Sequence, residues 1–178
     1  MSDYAMPAED VVALVQRLDA HGVDACIGGG WGVDALLGEQ TRDHSDLDVW
    51  VPAAHLEALF RAFAEAGVDR IFPWPDDRPW NFVLHDGVRR RIDLHLYEPL
   101  AGGRLHYGSV VTGTVFSADA LAGRGSIAGT PVRCESADWA VRCHTGYEPR
   151  DVDRHDVPLL CRRFGLPLPE GFEPLGRP

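Results

Sequence analysis

The sequence predicts an α/β protein of the α+β kind, in which a small mixed sheet is flanked by helices and followed by a short helical lobe. Helical and strand-like patterns alternate over residues 1–134, and one strand-like run carries acidic residues two positions apart. The residues after 134 show helical patterns and then a run rich in proline and glycine. We therefore divide the chain into a sheet domain, 1–134, and a small C-terminal helical lobe with a tail, 135–178.

Composition sets the class of protein. The chain has 178 residues, 45% of them apolar and 25% charged, which is typical of a globular protein. No apolar run reaches the roughly 18 residues of a membrane-spanning helix, and no secretion signal is visible at the N-terminus. Four scattered cysteines argue against a zinc site or a disulfide framework. These features predict a cytoplasmic protein without a membrane span.

The net charge narrows the class of partner. The formal net charge of −10 disfavours nucleic-acid binding, which usually needs a basic surface. A cationic small molecule would suit such an excess of acid, although an acidic face that meets only solvent explains the charge equally well. We expect a small-molecule partner and no nucleic acid.

The first elements end in a glycine run. A helix is predicted over 7–21 from apolar residues at helical spacing, and a short strand over 24–27. The glycine run 28–30 then opens a second helix, 31–37. Bare backbone N–H groups at the beginning of a helix are a site for anions such as phosphate.

The next strand, predicted over 45–51, carries Asp46 and Asp48, whose side chains point to the same face. Two adjacent carboxylates repel each other unless a cation lies between them. Oxygen-rich, thiol-free surroundings suit a hard ion such as Mg²⁺. Beside the glycine run, this pair predicts a site for a metal-bound triphosphate.

A third acid follows further along the sheet domain. A helix is predicted over 52–67, and strands over 68–72, 80–84 and 88–97, the last two joined by a hairpin turn. Strand 88–97 alternates apolar and polar residues and puts Asp93 on its polar face. A carboxylate there could close a two-metal site and accept a proton from an attacking hydroxyl.

The remaining elements are shorter. Residues 99–129 are glycine-rich and weakly patterned, which predicts loops with short strands. One more strand is predicted over 131–134. Ser136 is predicted to cap a helix that runs through residue 144, and a last helix covers about 153–164.

Two segments resemble a known family: Gly-Gly-Trp-Gly-Val-Asp at 29–34 and Thr-Arg-Asp-His-Ser-Asp-Leu-Asp at 41–48. They are similar to the antibiotic nucleotidyltransferases of the polymerase-β-like superfamily, in particular the small lincosamide nucleotidyltransferases and the aminoglycoside 2″-nucleotidyltransferases. Weaker similarity continues in four further segments: 91–95, 127–134, 144–147 and 153–156. Residues 98–125 are poorly matched.

The resemblance implies a polymerase-β-like nucleotidyltransferase fold, with 1–134 as the nucleotidyltransferase domain. It implies transfer of a nucleoside monophosphate, most simply AMP from ATP, to a hydroxyl of a lincosamide or an aminoglycoside, with release of pyrophosphate. Asp46, Asp48 and Asp93 would be the catalytic residues and would bind two Mg²⁺ ions. Six further residues would contact the nucleotide: Gly29, Gly30, Arg42, His44, Tyr147 and His155.

Several of these roles have a structural alternative. Arg42 could equally be a salt-bridge partner on the surface, and His44 could hydrogen-bond only within its own loop. Tyr147 and His155, which lie in the C-terminal lobe, could be capping residues or residues at the edge of the core. The general base is left open between Asp93, His95 and another acid.

The sequence leaves the acceptor and its hydroxyl open, as well as the preferred nucleotide. A biosynthetic metabolite, a transfer RNA or a protein could take the place of the antibiotic. The fold could also serve as a non-catalytic nucleotide-binding module, although the presence of all three acids argues against that. An acceptor site at a homodimer interface would leave no mark in the sequence, so the oligomeric state stays open too.

Overall fold

The computed structural model describes residues 4–172 of the chain. Its helices are α1 (Ala8–Ala20), α2 (Gly29–Leu37), α3 (Leu56–Glu65), α4 (Ala137–Cys143) and α5 (Asp151–Phe164). Its strands are β1 (Cys26–Ile27), β2 (Leu47–Pro52), β3 (Arg70–Phe72), β4 (Asn81–His85), β5 (Arg91–Leu100), β6 (Arg104–Tyr107), β7 (Thr114–Ser117), β8 (Gly123–Ile127) and β9 (Thr130–Cys134). The last part of the predicted tail, 173–178, lies outside the described residues.

The strands form one mixed sheet in the order β3-β4-β5-β2-β1-β9-β8. The two central strands, β2 and β5, are parallel to each other. Their register sets Asp48 directly opposite Asp93. β1 is antiparallel to β2 and parallel to β9, and β6 pairs with the C-terminal half of β5. The prediction of a mixed sheet flanked by helices is confirmed.

One face of the sheet carries the main core. Val49 of the central strand packs in one cluster with Leu18 of α1 and Phe63 of α3, all three of them buried. Since side chains alternate along a strand, the polar residues Asp48 and Asp93 fall on the opposite face. The core therefore fixes which face of the sheet presents the acids.

The bounds of two elements differ from the prediction near the acids. β2 begins at Leu47, so that Asp46 lies just ahead of the strand instead of within it. α2 begins at Gly29, so that the last two glycines of the run form the first turn of the helix instead of preceding it. Gly28 is the residue that caps this helix, with an extended backbone.

The C-terminal lobe packs on the helix that begins with the glycine run. Ser136 caps α4, as predicted, because its hydroxyl accepts a hydrogen bond from the Trp139 amide at 3.4 Å. Val33 of α2 shares a buried cluster with residues of the lobe: Ala140, Val141, Val157, Leu160, Cys161 and Phe172. Within residues 4–172, the helices are too short or too polar to cross a membrane.

Candidate active site

The polar face of the sheet brings two of the predicted acids together. Asp48 of β2 is directly opposite Asp93 of β5, and two residues further along Trp50 is opposite His95. Because the two strands are parallel and in register, these four side chains share one face. The pairing places the acids side by side without any contribution from a loop.

His95 joins the two acids. Its Nε2 donates to Asp48 Oδ1 at 3.2 Å and lies 3.9 Å from Asp93 Oδ1. On its other side, Nδ1 lies 3.1 Å from the Tyr107 hydroxyl, and the ring stacks on the Trp50 indole with the centroids 4.7 Å apart. One ligand atom each from Asp48, Asp93 and His95 lie within 4.8 Å of one another, a spacing that suits a shared metal ion.

Asp46 is not one of these three residues, but it lies within reach of their charges. Burial and the negative charge of Asp48 raise the pKa of Asp46 to about 6, and Asp93 adds to the rise. Arg91 acts in the opposite direction. A carboxylate whose pKa is raised by neighbouring acids in this way is stabilised in its charged form by a cation beside it.

Asp48 and His95 stabilise each other's charged forms. Burial, the largest single effect, would raise the pKa of Asp48, but the hydrogen bond and the charge of His95, together with the charges of His144 and Arg91, lower that pKa overall. Burial, the largest single effect, would lower the pKa of His95, but the contact with Asp48 and the charges of Asp93 and Glu135 together raise it. For Asp93, burial raises the pKa and exceeds the opposing effect of His95. Asp93 therefore binds a proton more readily than Asp48 does.

The glycines at the start of α2 bring its backbone against the acids. A Cβ atom on Gly29 would overlap Asp48 Oδ2, and Gly29 also has a φ of +54°. A Cβ atom on Gly30 would lie 2.5 Å from Nδ1 of His44. Only glycine fits at both positions. The close approach is the arrangement that a phosphate site at the beginning of this helix would need.

Arg42 and His44 are both held by buried acids. The Arg42 guanidinium donates to Asp156 of α5 through Nε at 3.0 Å and Nη2 at 2.7 Å. His44 Nε2 donates to Asp34 Oδ2 at 2.5 Å. Both side chains therefore have structural partners, and their contact with a triphosphate stays a prediction.

Tyr147 and His155 lie on the lobe. The Tyr147 hydroxyl donates to Asp153 Oδ1 at 3.2 Å, and His155 Nδ1 donates to Asp156 Oδ1 at 2.8 Å. These partners belong to α5 and not to the sheet. Both side chains are partly exposed, so that they remain accessible to a ligand, and their contact with the nucleotide also stays a prediction.

Sequence reasoning missed four residues of this face: Asn81, Trp50, Tyr107 and Glu135. Asn81 Nδ2 donates to Asp93 Oδ1 at 2.6 Å and so fixes the orientation of that carboxylate. Counting back from the predicted hairpin turn would have placed Asn81 opposite His95. The sequence contains no comparable signal for Glu135, whose partner Trp50 is 85 residues away.

Comparisons with known proteins agree with this geometry. The family model of aminoglycoside-2″-adenylyltransferases matches residues 10–160. A lincosamide resistance protein of Staphylococcus haemolyticus is 23% identical over 160 residues, which cover 90% of this chain and 98% of that protein.

Two solved structures share the fold. The lincosamide antibiotic adenylyltransferase LnuA, bound to lincomycin, matches with a TM-score of 0.75 and 22% identity over 88% of this chain and 97% of its own. ANT(2″)-Ia, in complex with adenylyl-2″-tobramycin, matches with a TM-score of 0.66 and 21% identity over 88% of each chain. The resemblance inferred from the motifs is confirmed. Because the family model covers most of its length, the chain belongs to the aminoglycoside-2″-adenylyltransferase family of nucleotidyltransferase enzymes.

Proposed function

We propose that this enzyme transfers AMP from ATP to a hydroxyl of a lincosamide or an aminoglycoside and releases pyrophosphate. The observation that carries the proposal is the register of the central strands, which sets Asp48 against Asp93 beside the first turn of α2. Carboxylates next to bare helical N–H groups can hold a metal and a phosphate chain together.

The residues on this face fit magnesium. Asp46, Asp48 and Asp93 offer carboxylate oxygens, which are the ligands that Mg²⁺ prefers. Burial raises the pKa of Asp46 most, and the negative charge of Asp48 raises it further, a repulsion that a cation would relieve. We propose that these three residues bind the metal. Bound magnesium would neutralise the triphosphate and make the acceptor hydroxyl easier to deprotonate.

We propose Asp93 as the general base. The acceptor oxygen forms a bond to the α-phosphorus, the bond from that phosphorus to the oxygen bridging to the β-phosphorus breaks, and the hydroxyl proton passes to Asp93. Asp93 suits this role because burial raises its pKa towards the working pH while Asn81 fixes its orientation. His95 is less suited to take up this proton, since the Asp48 carboxylate favours the form of His95 that is already protonated.

We propose the remaining nucleotide contacts from where the residues lie relative to the acids and to the beginning of α2. The first-turn N–H groups at Gly29 and Gly30 would bind phosphate oxygens, with Arg42 and His44 at the edge. The partly exposed Tyr147 and His155 would border the nucleotide from the lobe. Since the enzyme would consume ATP, we propose that it works in the cytoplasm.

The acceptor classes are proposed from the relatives and from charge. One relative is a lincosamide resistance protein, and another was solved with an adenylylated aminoglycoside. Lincosamides and aminoglycosides both carry amines, and a chain with a net charge of −10 attracts cations. We propose a free hydroxyl on such a cation as the site of transfer.

Pyrophosphate release tests the proposal. The protein is incubated with ATP and Mg²⁺ and with a panel of lincosamides and aminoglycosides, and Asp48→Asn is the matched inactive variant. We expect release with at least one antibiotic and at least about 100-fold less from the variant, because metal binding and charge stabilisation are lost together. Release without dependence on any antibiotic would favour another acceptor, and no turnover under any condition would favour a nucleotide-binding module.

A further inference from the structure

Glu135 is a buried acid on the catalytic face that none of the steps above uses. It follows β9 directly, is 2% exposed, and its amide donates to the Ile27 carbonyl at 3.0 Å. Its Oε1 accepts a hydrogen bond from the Trp50 indole at 2.7 Å. Its Oε2 has no hydrogen-bond partner among residues 4–172. A buried carboxyl is costly, so its presence on this face calls for an explanation.

The glycine run leaves room for this carboxyl. A Cβ atom on Gly28 would lie 3.0 Å from Glu135 Oε1 and 2.9 Å from Trp50 Nε1. The Gly29 amide also lies near this carboxylate and lowers its pKa, against the larger effect of burial. Glu135 therefore connects the beginning of α2 to the central strand β2.

Trp50 continues the connection to the acids. Its indole stacks on the His95 ring at 24° between the planes, and Tyr107 packs edge-on against the same indole at 4.8 Å. His95 in turn donates to Asp48. Contacts thus run without a break from Glu135 through Trp50 and His95 to Asp48.

We infer that Glu135 is a positioning residue, which holds the Trp50 indole so that His95 keeps its hydrogen bond to Asp48. This inference rests on the proposed function for its effect on turnover. Without the Glu135 carboxylate, the Trp50 indole N–H has no hydrogen-bond acceptor in a buried site, and the indole is free to turn away. The His95 ring then loses the indole on which it stacks, and His95 no longer holds a fixed position from which to donate to the Asp48 carboxylate.

Glutamine at this position separates the hydrogen bond from the charge. Its side-chain oxygen can still accept from the indole, while the negative charge is removed. Burial raises the pKa of Glu135 to about 7, so this carboxyl is only partly charged near neutral pH and glutamine removes less charge than it would at an exposed site. Rescue by Glu135→Gln therefore points to the hydrogen bond as the cause.

The kinetic test is a double-mutant cycle with an acceptor that the enzyme turns over. We expect Glu135→Ala and Trp50→Phe each to lower kcat about 10- to 100-fold, with KM for ATP changed less than about threefold. The double variant should lose no more than the worse single variant, because both changes remove the same contact. Glu135→Gln should keep kcat within about threefold of the parent. Additive losses in the double variant, or loss of thermal stability without loss of kcat, would overturn the inference.

A second readout needs no turnover. In NMR spectra of the metal-free protein, Glu135→Ala should shift the Trp50 indole N–H signal and the His95 ring signals, and Glu57→Ala on the exposed surface should shift neither. Trp50→Phe should shift the His95 signals as well, and it keeps the measurement available if the alanine variant fails to fold. Unchanged His95 signals in both variants would contradict the positioning role, whether or not the proposed reaction is found.

Discussion

At the residue scale, Gly29 must be glycine for two reasons. Its φ of +54° strains any other residue, and a Cβ atom there would overlap Asp48 Oδ2. We predict that Gly29→Ala lowers the free energy of unfolding by about 3 kcal/mol and lowers activity, because the backbone strain adds to a clash with Asp48, a proposed metal ligand. Denaturant unfolding and the pyrophosphate assay measure the two effects.

Gly38 supplies the matched control on the same helix. It has a φ of +80°, and a Cβ atom there would meet no heavy atom within 4 Å. Gly38→Ala should therefore lower the free energy of unfolding only by the strain of an alanine at positive φ, about 1 kcal/mol, and leave turnover unchanged. Equal losses from the two substitutions would mean that the close approach to Asp48 is unimportant.

The sequence predicts those residues of the site whose geometry is local. Asp93 was found from alternation along one strand, and Asp48 from its spacing to the glycine run. Arg42 meets Asp156 from 114 residues away, and Trp50 meets Glu135 from 85 residues away. No local period encodes such contacts, since they depend on how complete elements pack.

At the scale of the element, the Arg42–Asp156 pair ties the loop before β2 to α5. Asp156 is 1% exposed, so removing Arg42 leaves a buried carboxylate with less compensation. We predict that Arg42→Met lowers the free energy of unfolding by about 3 kcal/mol, whereas Arg61→Met, whose pair with Glu57 is exposed, costs less than about 0.5 kcal/mol. Urea unfolding measures both variants.

The same Arg42 variant tests the predicted phosphate contact. If Arg42 also binds the triphosphate, KM for ATP should rise about tenfold or more under conditions in which the variant is folded. An unchanged KM would restrict Arg42 to its structural role.

The hairpin between β4 and β5 depends on Asp86. Burial alone would raise the pKa of Asp86, but hydrogen bonds from Arg90 and from the amides of Val88, Arg89 and Arg90 lower it to about 2. A lowered pKa stabilises the fold above the unfolded value near 4 and loses that effect as the pH falls through about 2.

We therefore predict a pH-dependent loss in Asp86→Ala. The free energy of unfolding should fall by about 2 kcal/mol at neutral pH, and the difference from the parent should shrink between about pH 4 and pH 2. Urea titrations across this range measure it, with exposed Asp76→Ala as the control. A difference that does not depend on pH would show that the charge of Asp86 is not the cause.

The elements that were predicted best are those in which apolar residues recur at a regular spacing and a glycine marks the boundary of the segment. α1 and β5 have such patterns, and their cores match the expected faces. Residues 99–129 contain β6, β7 and β8, which are short strands with partly exposed residues. Backbone pairing defines them, of β6 with β5, of β7 with β6 and of β8 with β9, and sequence periodicity does not report such pairing.

At the scale of the whole molecule, we propose that 1–134 is the catalytic domain and that 135–178 folds only against it. Val33 of α2 is fully buried in the cluster that it shares with the lobe. We predict a single cooperative thermal transition, with equal calorimetric and van't Hoff enthalpies. A separate transition for the lobe would contradict this proposal.

The central claim is that the paired acids of β2 and β5 transfer a nucleotide to an antibiotic. Mass spectrometry of the antibiotic after incubation with enzyme, ATP and Mg²⁺ tests it most directly. We predict that a lincosamide or an aminoglycoside gains the mass of one AMP with the parent enzyme, and that Asp48→Asn and Asp93→Asn, folded by circular dichroism, give no detectable product. An unmodified panel, or equal modification by the variants, would contradict the account.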